Sequence, residues 1–148
     1  MTARTEPWPW DRLQWTGIAL AAIGLIDSAY LTWLKLADAT AACAGIGDCE
    51  SVNNSRFASV GGVPIALLGA LSYGAILALL FAERARPEWR LAGRVAMFGL
   101  TLAGTLYSAY LSYVEVAVLR AVCPFCVVSA VVMALLLVIS VLRLREPD

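Results

Sequence analysis

Residues 121–142, AVCPFCVVSAVVMALLLVISVL, join a Cys-Pro-Phe-Cys motif to an uncharged apolar run. A transmembrane helix needs about 20 mainly apolar residues to cross the hydrocarbon core of a bilayer, and this run is long enough. Proline is favoured at the first position of a helix, so Pro124 indicates that the helix begins at the motif. The segment therefore predicts a membrane-spanning helix with Cys123 and Cys126 at its N-terminal end.

Three further apolar segments are long enough to cross a membrane, at about 16–36, 64–82 and 95–114. Composition agrees, since 61% of the residues are hydrophobic, 15% are charged and the mean hydropathy is +0.77. The 148 residues suit a single domain. We therefore predict an all-α integral membrane protein built as one four-helix bundle. A net charge of zero without a basic cluster gives no indication of nucleic-acid binding.

The basic residues predict how the bundle lies in the membrane. Four helices place both termini and the loop between the second and third helices on one side. That side carries eight arginines, against three basic residues on the other: Arg4, Arg12, Arg84, Arg86, Arg90, Arg94, Arg143 and Arg145 against Lys35, Arg56 and Arg120. Because positive charge accumulates on the cytoplasmic side, we expect cytoplasmic termini in a bacterial plasma membrane. All four cysteines then face the periplasm or cell exterior, where disulfides persist.

The loop at 37–63 is longer than a simple connection needs to be, and long loops in compact domains are usually functional. It contains Cys43 and Cys49, and we expect it to fold over the end of the bundle with a short helix near 51–57. Pro64, after two glycines, suits the first turn of the second long helix. The segment 115–122 is predicted to be a short turn.

The Cys-Pro-Phe-Cys motif indicates redox chemistry, because helix N-termini stabilise thiolates and so make thiols reactive. We expect Cys126, one turn inside the helix, to point into the bundle and to be the favoured thiolate. Cys123 should be reachable from the loop.

Two structural alternatives and one ambiguous charge remain beside this interpretation. A purely bracing disulfide across the seven-residue loop of Cys43 and Cys49 would contribute only roughly 2.4 kcal/mol. A zinc site would need all four thiols, since the chain has no histidine, and five residues separate Cys43 from Cys49 rather than the usual two to four. Asp27, the one charge inside a predicted span, suits either a proton path or a hydrogen bond to a neighbouring helix.

A set of motifs follows a fixed order along the chain. The members are Ser28-x-Tyr30, the pair Cys43/Cys49, Cys49-x-x-Val52-x-x-Ser55, Gly62-Val63-Pro64, Gly69, Tyr73, Gly104, Tyr110-Leu111 and Cys123-Pro124-Phe125-Cys126. In this pattern the chain resembles bacterial members of the vitamin K epoxide reductase family between about residues 24 and 129. The DsbB family also has four helices and two cysteine pairs, but there the CxxC motif comes first.

The resemblance implies an electron path. Cys43 would form a mixed disulfide with a reduced, thioredoxin-like (DsbA-like) protein, and Cys49 would then attack Cys123. Cys126 would pass the electrons to a quinone, menaquinone or ubiquinone, held within the bundle. Small-molecule sites are mostly apolar with a few placed polar groups. We expect the lining to comprise Ser55, Asn54, Val63, Ile65, Leu68 and Val127.

Two departures from the family pattern refine this expectation. Many bacterial members carry a fused thioredoxin-like domain after the last helix, whereas this chain stops at Asp148, so we expect the partner to be a separate protein. Vertebrate members have a tyrosine four residues after the second CxxC cysteine, where this chain has Ala130. That difference favours quinone reduction over epoxide reduction. A disulfide-braced membrane scaffold and a metal-binding membrane protein are the alternatives from other functional classes.

Overall fold

The computed structural model describes residues 9–40, 43 and 47–146. Within these residues, four helices are long and apolar enough to cross a membrane. They are α1 (Pro9–Leu36), α3 (Ile65–Ala85), α4 (Arg90–Tyr113) and α5 (Pro124–Leu144). A short helix α2 (Cys49–Asn53) lies in the long loop, and a 3-10 turn (Pro87–Trp89) joins α3 to α4. The prediction of an all-α membrane bundle is confirmed.

Two departures from the predicted helix bounds stand out: α1 begins at Pro9 rather than near residue 16, and the chain stays helical after α4. A turn was expected at 115–122, but the chain continues from α4 as a π-helical segment, Val114–Leu119. It ends only at Arg120, which has the left-handed φ of 52°. The apolar residues of this segment carry no turn-forming glycine or proline, so the chain can stay helical. π-Helical turns often occur at functional sites, and this one leads directly to the CxxC motif.

The long loop contains the predicted short helix, slightly earlier than expected. Asp48 caps α2, because its carboxylate accepts hydrogen bonds from the Ser51 backbone N–H (3.0 Å) and hydroxyl (2.6 Å). A 3-10 turn (Arg56–Ala58) and a two-stranded hairpin, β1 (Ser59–Val60) and β2 (Val63–Pro64), complete the loop. The hairpin was not predicted. Pro64 lies in β2 and caps α3 rather than occupying its first turn.

The helices pack closely through small residues, as is common in membranes. Helix α1 packs against α3 and α5, and α4 packs against α5. A Cβ atom at Gly24 would overlap the ring of Tyr73, so glycine lets α3 approach α1. The Tyr73 hydroxyl, in turn, lies 2.8 Å from the carbonyl oxygen of Ser129 on α5 and donates a hydrogen bond to it. These contacts hold three helices around a common centre.

Charged side chains tie the helices together at the end opposite the CxxC motif. Arg143 near the end of α5 donates to the carboxylate of Glu83 near the end of α3, and both are buried. Arg94 on α4 pairs with Glu146 at 3.4 Å. Breaking a buried pair leaves an uncompensated charge, which is strongly destabilising. This network fixes α3, α4 and α5 at one end, while the cysteines occupy the other.

Candidate functional site

The fold brings all four cysteines into one cluster at the N-terminal end of α5. Cys49 and Cys123 are buried in it together with Val52, and Cys43 and Cys126 pack against them. Cys43 and Cys49 form a disulfide, while Cys123 and Cys126 are free thiols. The long loop was predicted to fold over the end of the bundle, and in the structure its cysteine pair packs beside the CxxC motif. The part of the chain that the structure describes contains no group of three or more His, Cys, Asp or Glu side chains that could hold a metal ion.

The loop is fixed against the CxxC segment by backbone contacts. The Asp48 N–H donates a hydrogen bond to the carbonyl oxygen of Val122 at 3.0 Å. At Gly47 φ is +79°, and a Cβ atom there would collide with the same oxygen and lie 2.9 Å from Cδ of Pro124. Glycine is therefore required at this close approach, on both conformational and steric grounds. On the other side of the loop, Lys35 at the end of α1 donates to the Asn53 carbonyl at 2.8 Å.

The lowered thiol pKa in the motif belongs to Cys123. This residue is the N-cap of α5, and Pro124 is the first helical residue, as predicted. Hydrogen bonding by the Cys126 thiol lowers the pKa of the Cys123 thiol, with a smaller contribution from backbone N–H groups, against the opposing effects of burial and of Glu115. The sequence had placed the favoured thiolate on Cys126. The structure favours Cys123 because the Cys126 thiol and the backbone N–H groups at the start of α5 donate hydrogen bonds to its sulfur.

A cavity of about 180 Å³ lies within the bundle beside the motif. All four long helices and the loop contribute to its wall, and Cys126 lines it whereas Cys123 does not. The prediction that Cys126 points into the bundle agrees with this arrangement. Drug-sized ligands usually occupy cavities of about 300–1,000 Å³. At about 180 Å³ the cavity is smaller than that range, so it can enclose a compact group rather than a whole drug-sized ligand.

The comparisons with known proteins agree with the order of the cysteines. The model of the vitamin K epoxide reductase family matches residues 15–141. The chain belongs to this family. It is also similar to the thiol-disulfide oxidoreductase LTO1 of Arabidopsis thaliana, with 37% identity over 131 residues. That match covers 82% of this chain but 35% of LTO1, so the chain spans about a third of that relative's length.

Three of the six lining residues predicted for this vitamin K epoxide reductase family protein lie in the cavity wall. These are Ser55, Ile65 and Leu68. The other three, Asn54, Val63 and Val127, do not line this cavity. The Asn54 side-chain oxygen accepts from Lys35 Nζ at 3.4 Å instead, and Val63 is exposed in β2. Val127 follows Cys126 by one residue, a rotation of about 100° around the helix, and it is exposed.

Helix α4 and its π-helical extension contribute cavity residues that were not predicted for this family member. Gly104, Tyr107, Leu111 and Glu115 belong to this group. Glu115 is the only charged residue in the stretch 95–119, and that isolation was the sequence signal that could have identified it. Asp27, whose role the sequence left open, also lines the cavity. Its Oδ2 atom is buried without a hydrogen-bond partner among the described residues.

Proposed function

We propose that this family member is a quinone-dependent thiol–disulfide oxidoreductase that oxidises a separate thioredoxin-like, DsbA-like protein and so supports disulfide formation. One observation supports the proposal most directly. All four cysteines lie in a single cluster, and Cys126 of that cluster also lines the cavity. A continuous path for thiol–disulfide exchange therefore leads from the loop to the wall of the cavity.

The exposure of the two loop cysteines indicates which of them reacts first with the partner. Cys43 is partly exposed, whereas Cys49 and Cys123 are only 2% and 1% exposed. A partner thiolate attacks Cys43 and releases the Cys49 thiolate, and the partner's second thiol then resolves the mixed disulfide. The partner loses two electrons and two protons, and the loop pair gains them as two thiols.

The CxxC pair takes the electrons from the loop pair. In the oxidised motif, Cys49 attacks Cys123 and Cys126 leaves as a thiol; Cys43 then attacks Cys49, which restores the loop disulfide and frees Cys123. The resulting pattern, an oxidised loop pair beside two free CxxC thiols, is the one in the structure. A bound quinone supplies the final acceptor of two electrons and two protons. A scaffold with two bracing disulfides would not require free thiols at the cavity.

The proposed orientation places the cysteine cluster on the periplasmic or external side of a bacterial plasma membrane. Support comes from the eight basic residues assigned to the other side and three assigned to this one. The ion-pair network of Glu83, Arg94, Arg143 and Glu146 then lies at the cytoplasmic end. In this orientation the loop pair meets a partner in an oxidising compartment.

Quinone reduction is tested with the fully reduced chain in lipid nanodiscs without oxygen. Four thiols hold four electrons, so each chain should convert up to two ubiquinone or menaquinone molecules to quinol, followed by ultraviolet absorbance. The Cys126→Ser variant serves as the matched control and should form none. The proposal fails if the wild-type chain forms no quinol, or if the control forms as much as the wild type.

The Gly47→Ala substitution should slow exchange between Cys49 and Cys123 by about tenfold. A left-handed conformation costs residues other than glycine roughly 1–2 kcal/mol, and about 1.4 kcal/mol corresponds to a factor of ten. The new methyl group also collides with the Val122 carbonyl, so the loop moves away from the CxxC segment. The measurement is the rate of Cys49–Cys123 cross-linking in chains that also carry Cys126→Ser.

Gly62→Ala is the matched control for this prediction. Gly62 has a φ of +85°, similar to that of Gly47, but nothing lies within 4 Å of a Cβ atom placed there. Its variant should cross-link at the rate of the parent chain. Equal rates for all three chains would show that contact at Gly47 does not position the loop.

A further inference from the structure

Glu115 is a buried acid at the centre of the redox site. It lies in the π-helical segment after α4 and is only 5% exposed. Its Oε2 atom accepts a hydrogen bond from the backbone N–H of Cys123 at 3.2 Å. The same carboxylate interacts electrostatically with the Cys126 thiol, and both groups line the cavity.

The contacts of Glu115 are not those of a buried carboxylate with a purely structural role. Buried carboxylates are costly unless they are paired and hydrogen-bonded. The described residues form no salt bridge with Glu115, whereas the buried Glu83 at the other end of the bundle pairs with Arg143. Among the described residues, the Glu115 carboxylate accepts from the Cys123 backbone N–H and interacts electrostatically with the Cys126 thiol. A carboxylate at that position suits proton transfer with the reacting thiols.

We infer that Glu115 is the proton acceptor of the CxxC pair: it takes the thiol proton of Cys126 as the Cys123–Cys126 disulfide forms and releases it into the cavity. This inference rests on the proposed function. The two thiols lose two electrons and two protons as the S–S bond forms, and an oxidised quinone in the cavity gains both. Glu115 carries one proton to a quinone oxygen and returns to its carboxylate form, and the second proton is the one lost by Cys123.

The titratable groups around the cavity make this assignment specific. Besides Glu115 and Cys126, the wall contains Asp27 on α1, Tyr73 on α3 and Tyr107 on α4. Tyr73 already donates to the Ser129 carbonyl. Asp27, the other acid of the wall, has no recorded contact with either cysteine of the motif. Proton transfer from Cys126 is therefore assigned to Glu115, the carboxylate that accepts from the CxxC backbone and shares the cavity wall with the Cys126 thiol.

The Glu115→Gln substitution removes proton transfer by this side chain but keeps its hydrogen bond to the CxxC segment. The glutamine side-chain oxygen can still accept a hydrogen bond from the Cys123 N–H, but the amide cannot take up a proton at neutral pH. In single-turnover experiments with the reduced chain and ubiquinone, we expect Glu115→Gln to slow CxxC oxidation roughly 10²- to 10⁴-fold. Glu115→Asp should recover part of the rate, and Glu88→Gln, at an exposed acid between α3 and α4, should match the wild type. Cross-linking of Cys49 to Cys123 in the Cys126→Ser background should keep its rate.

A second measurement needs no quinone. Oxidation of the CxxC pair by diamide should change a carboxyl band in the infrared difference spectrum, and that change should be absent from Glu115→Gln. The inference is overturned if Glu115→Gln oxidises its CxxC pair at the wild-type rate, if it loses the cross-linking step as well, or if the carboxyl band persists. Lack of quinol formation by the wild-type chain would instead refute the proposed function.

Discussion

Replacing Cys126 with serine is expected to stop turnover and to trap a disulfide between Cys49 and Cys123. In this variant the Cys123 thiolate attacks Cys49 of the loop disulfide and releases Cys43 as a thiol. Because Cys126 is missing, only the return of Cys43 can resolve the linkage, and rapid alkylation of the free Cys43 thiol prevents that return. The lowered pKa of Cys123 and its burial beside Cys49 favour this attack. Turnover should fall by roughly a thousandfold or more, as is usual when a residue of a covalent relay is removed.

Non-reducing peptide mapping of the Cys126→Ser variant identifies the linkage. A Cys123→Ser variant is the control, because it cannot form the cross-link although it retains the loop disulfide. A linkage between Cys43 and Cys123 would mean that the relay passes through the other loop cysteine. That result would also contradict the accessibility order, in which the partly exposed Cys43 meets the partner.

Replacing Cys49 with serine is expected to accumulate a mixed disulfide between Cys43 and the thioredoxin-like partner. Without Cys49, the loop pair cannot form its own disulfide, so a partner linked to Cys43 is no longer displaced from within the loop. Since Cys43 is the more accessible loop sulfur, the adduct should form there. A mass shift on a non-reducing gel, followed by peptide mapping, measures it in membranes that contain the partner.

The matched variant for this experiment is Cys43→Ser, which leaves only the buried Cys49 in the loop. It should accumulate little adduct. An adduct at Cys49 in the Cys43→Ser variant, with none at Cys43 in the Cys49→Ser variant, would reverse the two assignments. The two variants differ only in which sulfur is retained, so loss of the loop disulfide affects both equally.

Hydropathy predicts those parts of this fold that depend on length and local composition. The four long helices appear near their predicted bounds because each apolar run is long enough for a span. The start of α5 was also predictable, since Pro124 marks a first helical residue. The gathering of the four cysteines followed from helix topology, which brings the loop and the motif to one end of the bundle.

Features that depend on tertiary contacts could not be obtained in this way. The π-helical extension takes Glu115 to the CxxC motif, and an apolar sequence does not distinguish a π-turn from an α-turn. Asn54 and Val127 adjoin Ser55 and Cys126 in the chain, yet they face away from the cavity because neighbouring residues point in different directions. The sequence predicted the lower thiol pKa for Cys126, but the structure assigns it to Cys123, because the Cys126 thiol donates a hydrogen bond to the Cys123 sulfur.

Oxidation of the loop pair by quinone tests the relay most directly. The reduced chain is mixed with ubiquinone in nanodiscs without oxygen, and the redox state of Cys43 and Cys49 is followed by thiol alkylation and mass spectrometry. We predict that the loop pair becomes a disulfide in the wild-type chain and stays reduced in a variant with serine at both Cys123 and Cys126. Equally fast oxidation of the loop pair in that variant would contradict the relay, because electrons would then reach the quinone without the CxxC pair.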